Sequence, residues 1–212
     1  MTSVPPGISA LLVAANGRPL AEEVVLDVAA VLDGLVGTNF EIVVLAATPD
    51  PLPLLQERYP NLPLRICEAD LSTAIETTVY DLVFVLDVAS ALDVCDLSHF
   101  LEAIESGADL AIGYRPRTFE RLAWSALGTL LFGKTARDVD CPFKLFRRAV
   151  WQGTAMGHSE QDGWFNTRLV VRARRLGFRI AELPVRRAQL NIDAAATLEA
   201  PSDGEKVTTR VA

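Results

Sequence analysis

The stretch YDLVFVLDVA, Tyr80 to Ala89, decides the fold. Leu82 to Leu86 is an unbroken apolar run of Leu, Val and Phe. It is too short for a helix, so it reads as a strand buried on both faces at the centre of a parallel sheet. The run ends in Asp87. Open α/β sheets bind ligands beyond the carboxyl ends of their central strands, so Asp87 stands where a ligand would be met. An aspartate at a strand end also caps turns and helices, and that role explains Asp87 equally well when it is taken alone.

Outward from this strand the pattern alternates. Upstream, Ile8 to Ala15, Phe40 to Ala47 and the weaker Leu62 to Cys67 read as strands. Between them lie helical stretches at residues 19–35, Leu54 to Arg58 and Leu71 to Val79. The first opens at Pro19 and carries Val24, Val25, Val28, Val31, Leu32 and Leu35 on one stripe. Downstream, Asp96 reads as the N-cap of a helix running through Glu105 and ending at Gly107. Asp109 to Gly113 follows as a strand, Phe119 to Phe132 as an amphipathic helix, and Asp138 to Phe146 as a turn into a strand. Trp164 to Leu176 is a helix stopped by Gly177, and Phe178 to Val185 is a last strand. Lys144, Arg147 and Arg148 are expected on a solvated strand edge. Regular alternation of strand and helix predicts a parallel, doubly wound α/β sheet. Residues 1–188 are read as one domain and 189–212, polar and rich in small residues, as a mobile tail.

The totals narrow the class. The chain has 212 residues, 50% hydrophobic and 22% charged, with a net charge of −7, which suits a folded domain with a substantial core. The start MTSVPPGIS lacks a basic region, so no signal peptide is expected. Cys67, Cys95 and Cys141 are scattered, without a CxxC pair, which reads as reduced thiols in a cytoplasmic protein. Charge is segregated: residues 1–110 hold 3 basic and 17 acidic side chains, a net −14, and the remainder is net +7. An acidic first half argues against nucleic acid, whereas the basic half suits phosphates or an anionic membrane surface. No GxGxxG follows the first strand, so a dinucleotide-dependent oxidoreductase is disfavoured.

Six segments, in this order, resemble family-2 glycosyltransferases with the GT-A fold, most of all the polyprenol-phosphate (dolichyl-phosphate) mannosyltransferase branch. They are ISALLVAAN, FEIVVLAATPD, DLVFVLDVA, SGADLAIGYRPR, DVDCPFKLFRR and GWFNTRLVVRARRLGFRIAELPV. The resemblance spans Ile8 to Val185 and implies a mostly parallel sheet flanked by helices. It implies that Ala14, Asn16 and Asp87 meet a nucleotide, with Asp87 on a Mg2+ or Mn2+ ion. It implies that Arg115, Arg121 and Ser125 face the phosphate of a lipid-phosphate acceptor and that Asp138 or Asp140 assists the reaction. Arg121 and Ser125 are four residues apart, so a helix puts them on one face. The guanidinium fork of Arg matches phosphate oxygens. An active member would invert the sugar while transferring it from a nucleotide donor. Such a protein would work in the cytoplasm, meeting its acceptor at the inner membrane surface.

The departures from that pattern all fall on the donor side. The two aspartates ending the second strand are here Leu45 and Ala46. The DxD metal motif is Asp87-Val88-Ala89, with one carboxylate. Gly17 and Arg18 follow Asn16 in place of acids, the Gly-rich stretch before the metal strand is missing between Cys67 and Asp81, and Arg168 stands where a Glu is usual. Each lost charge-assisted contact is worth about 1.5–3 kcal/mol. Asp93 and Asp96 are read as turn and cap residues, with replacement metal ligation as the other option. Two functions therefore stay open: a sugar transferase, or a non-catalytic relative that keeps the fold and the phosphate-binding face, needs no metal and acts as a binding or regulatory partner.

Overall fold

In the computed structural model, which describes residues 7–14, 20–46, 52–115, 137–154 and 165–188, Leu82–Asp87 forms β4, the middle of seven strands. Leu82 to Leu86 are buried, as a strand flanked by neighbours on both sides and layered on both faces requires. The other strands are β1 (Ile8–Ala14), β2 (Phe40–Ala46), β3 (Leu64–Cys67), β5 (Leu110–Tyr114), β6 (Phe143–Arg147) and β7 (Ile180–Pro184). The sheet order is β3-β2-β1-β4-β6-β5-β7. The helices are α1 (Glu22–Val36), α2 (Leu52–Arg58), α3 (Leu71–Glu76), α4 (Leu97–Glu105), α5 (Arg148–Thr154) and α6 (Phe165–Arg175).

Alternate residues of each strand feed two cores. On one face the Phe143 ring packs against Phe84 of β4 and Phe100 of α4, with ring centroids 4.8 and 4.7 Å away, and Val25, Val28 and Leu32 of α1 cover β1 and β2. On the other face Leu11, Val43, Val83 and Val85 meet Ile75 of α3, Trp151 of α5 and Leu169 of α6. Helices α4 and α6 end alike. Gly107 (φ +104°) and Gly177 (φ +82°) take the left-handed conformation, and the next residues, Ala108 and Phe178, donate back to Ala103 and Ala173 at 3.0 and 3.1 Å. This is the closure that a glycine past the last turn permits.

A polar network pins the amino ends of β1 and β2. The buried Glu41 carboxylate accepts from Ser9 Oγ (2.7 Å), from the Val79 N–H (2.6 Å) and from Arg65 Nε (3.0 Å). Ser9 Oγ accepts in turn from the Tyr80 N–H at 3.0 Å. Burial by itself works to raise the Glu41 pKa, but these hydrogen bonds outweigh it and hold the carboxyl below its ordinary value.

The sheet is mostly parallel, as the resemblance implied, and three finer expectations are corrected. The exception to parallel pairing is β6, which runs antiparallel to β4 and β5 and is inserted between them. The basic residues of that segment are therefore not on a solvated edge. Lys144 is fully buried, Arg147 donates to the Ile104 carbonyl at 3.1 Å, and Arg148 holds the carbonyls of Thr78 and Tyr80. Asp96 precedes α4 but its side chain caps nothing there. It is buried and accepts hydrogen bonds from Arg186 N (2.7 Å) and Nε (2.9 Å), with Nη2 2.8 Å away in the same ion pair, a stronger engagement than one helix-end amide. Helix α5 was not foreseen. The expected helix 119–132 and the tail 189–212 lie outside the described residues.

Candidate functional site

The chain changes direction of travel across the sheet between β1 and β4, which lie side by side while β2 and β3 extend one way and the later strands the other. Ligands in open α/β sheets bind at such a switch point, beyond the carboxyl strand ends. Asp87 lies there, paired in register with Val13, one residue from Ala14. Its carboxylate is engaged locally: Oδ1 accepts from the Ala89 N–H at 2.9 Å and starts the short 3-10 turn Val88–Ser90. Ala89 brings no oxygen from its side chain. Leu45, at the end of β2, is only 8% exposed and belongs to the second core. Among the described residues no group of three His, Cys, Asp or Glu side chains could share a metal ion. Asp93 serves its own turn, accepting from the Cys95 N–H at 3.0 Å, and Asp96 is committed to Arg186. The described residues thus do not by themselves make a site for a divalent cation. Asn16, Arg121 and Ser125 lie outside the described residues.

The other side of the site is held by a turn. Arg115, just past β5, grips Asp138 with Nε at 2.8 Å and Nη2 at 3.0 Å, and its backbone N–H points to the same carboxylate at 3.3 Å. Both side chains are largely shielded, 24% and 16% exposed. The hydrogen bond to Asp138 raises the Arg115 pKa further above its ordinary value. The turn closes with the Cys141 N–H on the Asp138 carbonyl at 3.2 Å. Asp140 is exposed and accepts from the Thr167 hydroxyl of α6. From within the sheet, Lys144 reaches up and donates to the Cys141 carbonyl.

Gly113 lets this turn sit close. A Cβ there would lie 2.9 Å from Cys141 Sγ, 3.0 Å from Val185 Cγ1 and 3.2 Å from the Phe143 carbonyl oxygen. Gly113→Ala is expected to cost about 1–3 kcal/mol through overpacking. Thermal unfolding of the variant, alone and combined with Cys141→Ala, measures this, and the second change should restore part of the loss. Equal losses in both would place the strain away from Cys141.

No protein-family model matches the chain. A glycosyltransferase of Haloferax volcanii, AglD, is 30% identical over 127 residues, which is 54% of this chain. The chain spans 20% of the length of that relative. Mannosyl-3-phosphoglycerate synthase from Rubrobacter xylanophilus superposes with a TM-score of 0.62 at 13% identity, over 90% of this chain and 70% of that one. Glucosyl-3-phosphoglycerate synthase from Mycobacterium tuberculosis, solved with Mn2+ and uridine-diphosphate-glucose, gives 0.62 at 16% identity, over 90% and 74%. The fold is the GT-A fold.

Within this GT-A fold the structure sets Asp87 beside Val13, one residue from Ala14, and brings Arg115 to Asp138, while Asp140 turns towards α6. Thr167 was not singled out from the sequence, and Lys144 was placed there on a solvated edge. Thr167 carried no signal there. Lys144 did: in Phe143-Lys144-Leu145-Phe146 it shares a strand face with Phe146, so a buried face was legible from period-two alternation. Among the described residues no helix is long and apolar enough to cross a membrane.

Proposed function

We propose that this chain is a glycosyltransferase-like domain of the polyprenol-phosphate type that keeps its phosphate-binding face and has lost tight binding of a nucleotide-sugar donor. It acts as a binding partner for a phosphorylated lipid acceptor at a membrane surface. The contrast between the two sides of the site carries this reading. Arg115 presents a shielded fork that already holds an anion, the Asp138 carboxylate, while Asp87 is spent on its own turn and Leu45 lies in the core. A diphosphate needs its charge offset, and a single carboxylate holds a cation poorly. A phosphate monoester needs only cationic donors, which Arg115 supplies.

A second reading has its own support. Ala14 and Asp87 stand together at the switch point, and one structural neighbour holds Mn2+ and uridine-diphosphate-glucose. In that reading the chain is an active, inverting family-2 transferase. Asp87 would hold the Mg2+ or Mn2+ ion, and Asp138 or Asp140 would orient the acceptor or take its proton.

Titration with a short-chain prenyl phosphate, and separately with nucleotide sugars plus Mn2+, separates the two. The binding reading expects prenyl-phosphate affinity that falls about tenfold in Arg115→Ala and weakens with salt. It expects no Mn2+-dependent micromolar affinity for a nucleotide sugar. Formation of a glycosyl-phosphate product would establish the transferase reading instead.

A further inference from the structure

Arg115 and Asp138, which the proposed function gives to different tasks, are spent on each other. The carboxylate lies in the guanidinium fork in the bidentate geometry that a ligand phosphate would adopt, and a third donor, the Arg115 N–H, points the same way. Close by is a second cation with unusual surroundings. Lys144 is fully buried between β4 and β5, opposite Val85 and Ile112. Its ammonium has three donors, yet its one hydrogen bond is to the Cys141 carbonyl, and no carboxylate among the described residues is ion-paired with it. Burial pushes its pKa down to about 8, against the attraction of Cys141, Asp138 and Asp140. An unpaired buried ammonium is costly, and a carboxylate moving closer would relieve that cost.

We propose that Asp138 is an internal stand-in for a ligand anion: it fills the Arg115 fork, a phosphate monoester displaces it, and Lys144 receives the displaced carboxylate. The inference rests on the reading of Arg115 as a phosphate-binding residue. The turn suits the exchange, because Asp138 opens it and Cys141, whose carbonyl Lys144 already holds, closes it. A carboxylate released from Arg115 therefore stays on a segment tethered to a cation. The exchange also makes the carboxylate available beside the bound phosphate only when a ligand is present. A purely structural clamp between Arg115 and Asp138 predicts the opposite response to substitution, so the two are distinguishable by sign.

Calorimetric titration at pH 7 with inorganic phosphate and with a short-chain prenyl phosphate tests this on the full chain. Asp138→Asn keeps the shape of the side chain but withdraws its charge from the fork. It is expected to bind phosphate about tenfold more tightly than the wild type. Asp138→Ser repeats the comparison with a side chain too short to hold the guanidinium. Lys144→Met, of similar length and apolar, is expected to weaken phosphate binding several-fold in the wild type. In the Asp138→Asn background it should change little, because no carboxylate is left to receive. If Asp138→Asn and Asp138→Ser bind no better than the wild type while binding still depends on Arg115, the phosphate reading stands and the stand-in is overturned. If none of the three binds either phosphate, the reading of Arg115 falls and the stand-in falls with it. Equal weakening by Lys144→Met in both backgrounds overturns the role of Lys144. Tighter binding of prenyl phosphate than of inorganic phosphate identifies a lipid headgroup as the source of the anion; equal binding identifies free phosphate.

Discussion

Glu41→Ala is expected to destabilise the domain by about 3 kcal/mol, lowering Tm by about 6–12 °C for a chain of this size. The carboxylate joins β2 to β1 through Ser9, to β3 through Arg65, and to the segment before β4 through the Val79 N–H. Removing it leaves the Ser9 hydroxyl and the Val79 amide without their acceptor in a shielded place, and each orphan costs about 1–3 kcal/mol. Arg65 loses less, since its side chain is 35% exposed and water replaces the partner. Glu41→Gln keeps an acceptor and should lose roughly half as much. The pH dependence has a definite sign. The folded Glu41 pKa lies below its unfolded value, so its contribution is fully present above the unfolded pKa of about 4.3 and is lost as pH falls through the lower folded value. The wild type should therefore lose more stability than Glu41→Gln on acidification below about pH 4.3. Thermal melts from pH 7 to pH 3 measure both effects. A melting temperature for Glu41→Ala within 2 °C of the wild type, by rough allowance for error, would show that the network is incidental.

Leu45→Asp, which would return an acid to the end of β2, is expected to cost about 4 kcal/mol and to bring no nucleotide affinity by itself. Leu45 packs with Leu11 and Val43 in the second core and pairs in register with Val13 and Cys67. A carboxyl placed there pays for desolvation, so its pKa in the folded variant would rise. The variant's deficit should be present at neutral pH and shrink as acid neutralises the new group. Ala89→Asp differs sharply. Residue 89 is half-buried in the 3-10 turn, its N–H already bound by Asp87. A carboxylate on the next residue but one gives two oxygens near a shared ion, and Mn2+ affinity should appear with little loss of stability. Melts with and without Mn2+ compare the two, since a bound ion raises Tm by mass action. Equal melting of Leu45→Asp and wild type at pH 7 would show that the end of β2 opens to water.

Local pattern was enough for much of this architecture. The apolar run Leu82 to Leu86 was legible as a central strand because both its faces are apolar. Gly177 was legible as a helix end because a residue with φ +82° favours glycine. The order of strands and helices, with six segments resembling GT-A glycosyltransferases, carried the fold and placed Asp87 at a strand end. That Leu45 and Ala89 bring no side-chain oxygen to the strand ends was also plain from residue types. What the sequence left undecided is what depends on distant partners. Lys144, Arg147 and Arg148 were read as solvated because charged residues usually are. The insertion of β6 between β4 and β5 buries Lys144 and gives Arg147 and Arg148 backbone carbonyls to hold instead, and strand direction is set by the return path of the chain, not by the residues of the strand. Asp96 had the pattern of a helix cap, yet Arg186, ninety residues on, engages its carboxylate with two hydrogen bonds and an ion pair. Arg115 and Asp138 read as separate ligand contacts, and only the packing of the 138–141 turn against Gly113 brings them together. Hydrophobic periodicity reports which face of an element is buried, whereas ion pairs and buried charges are fixed by which elements the topology makes neighbours.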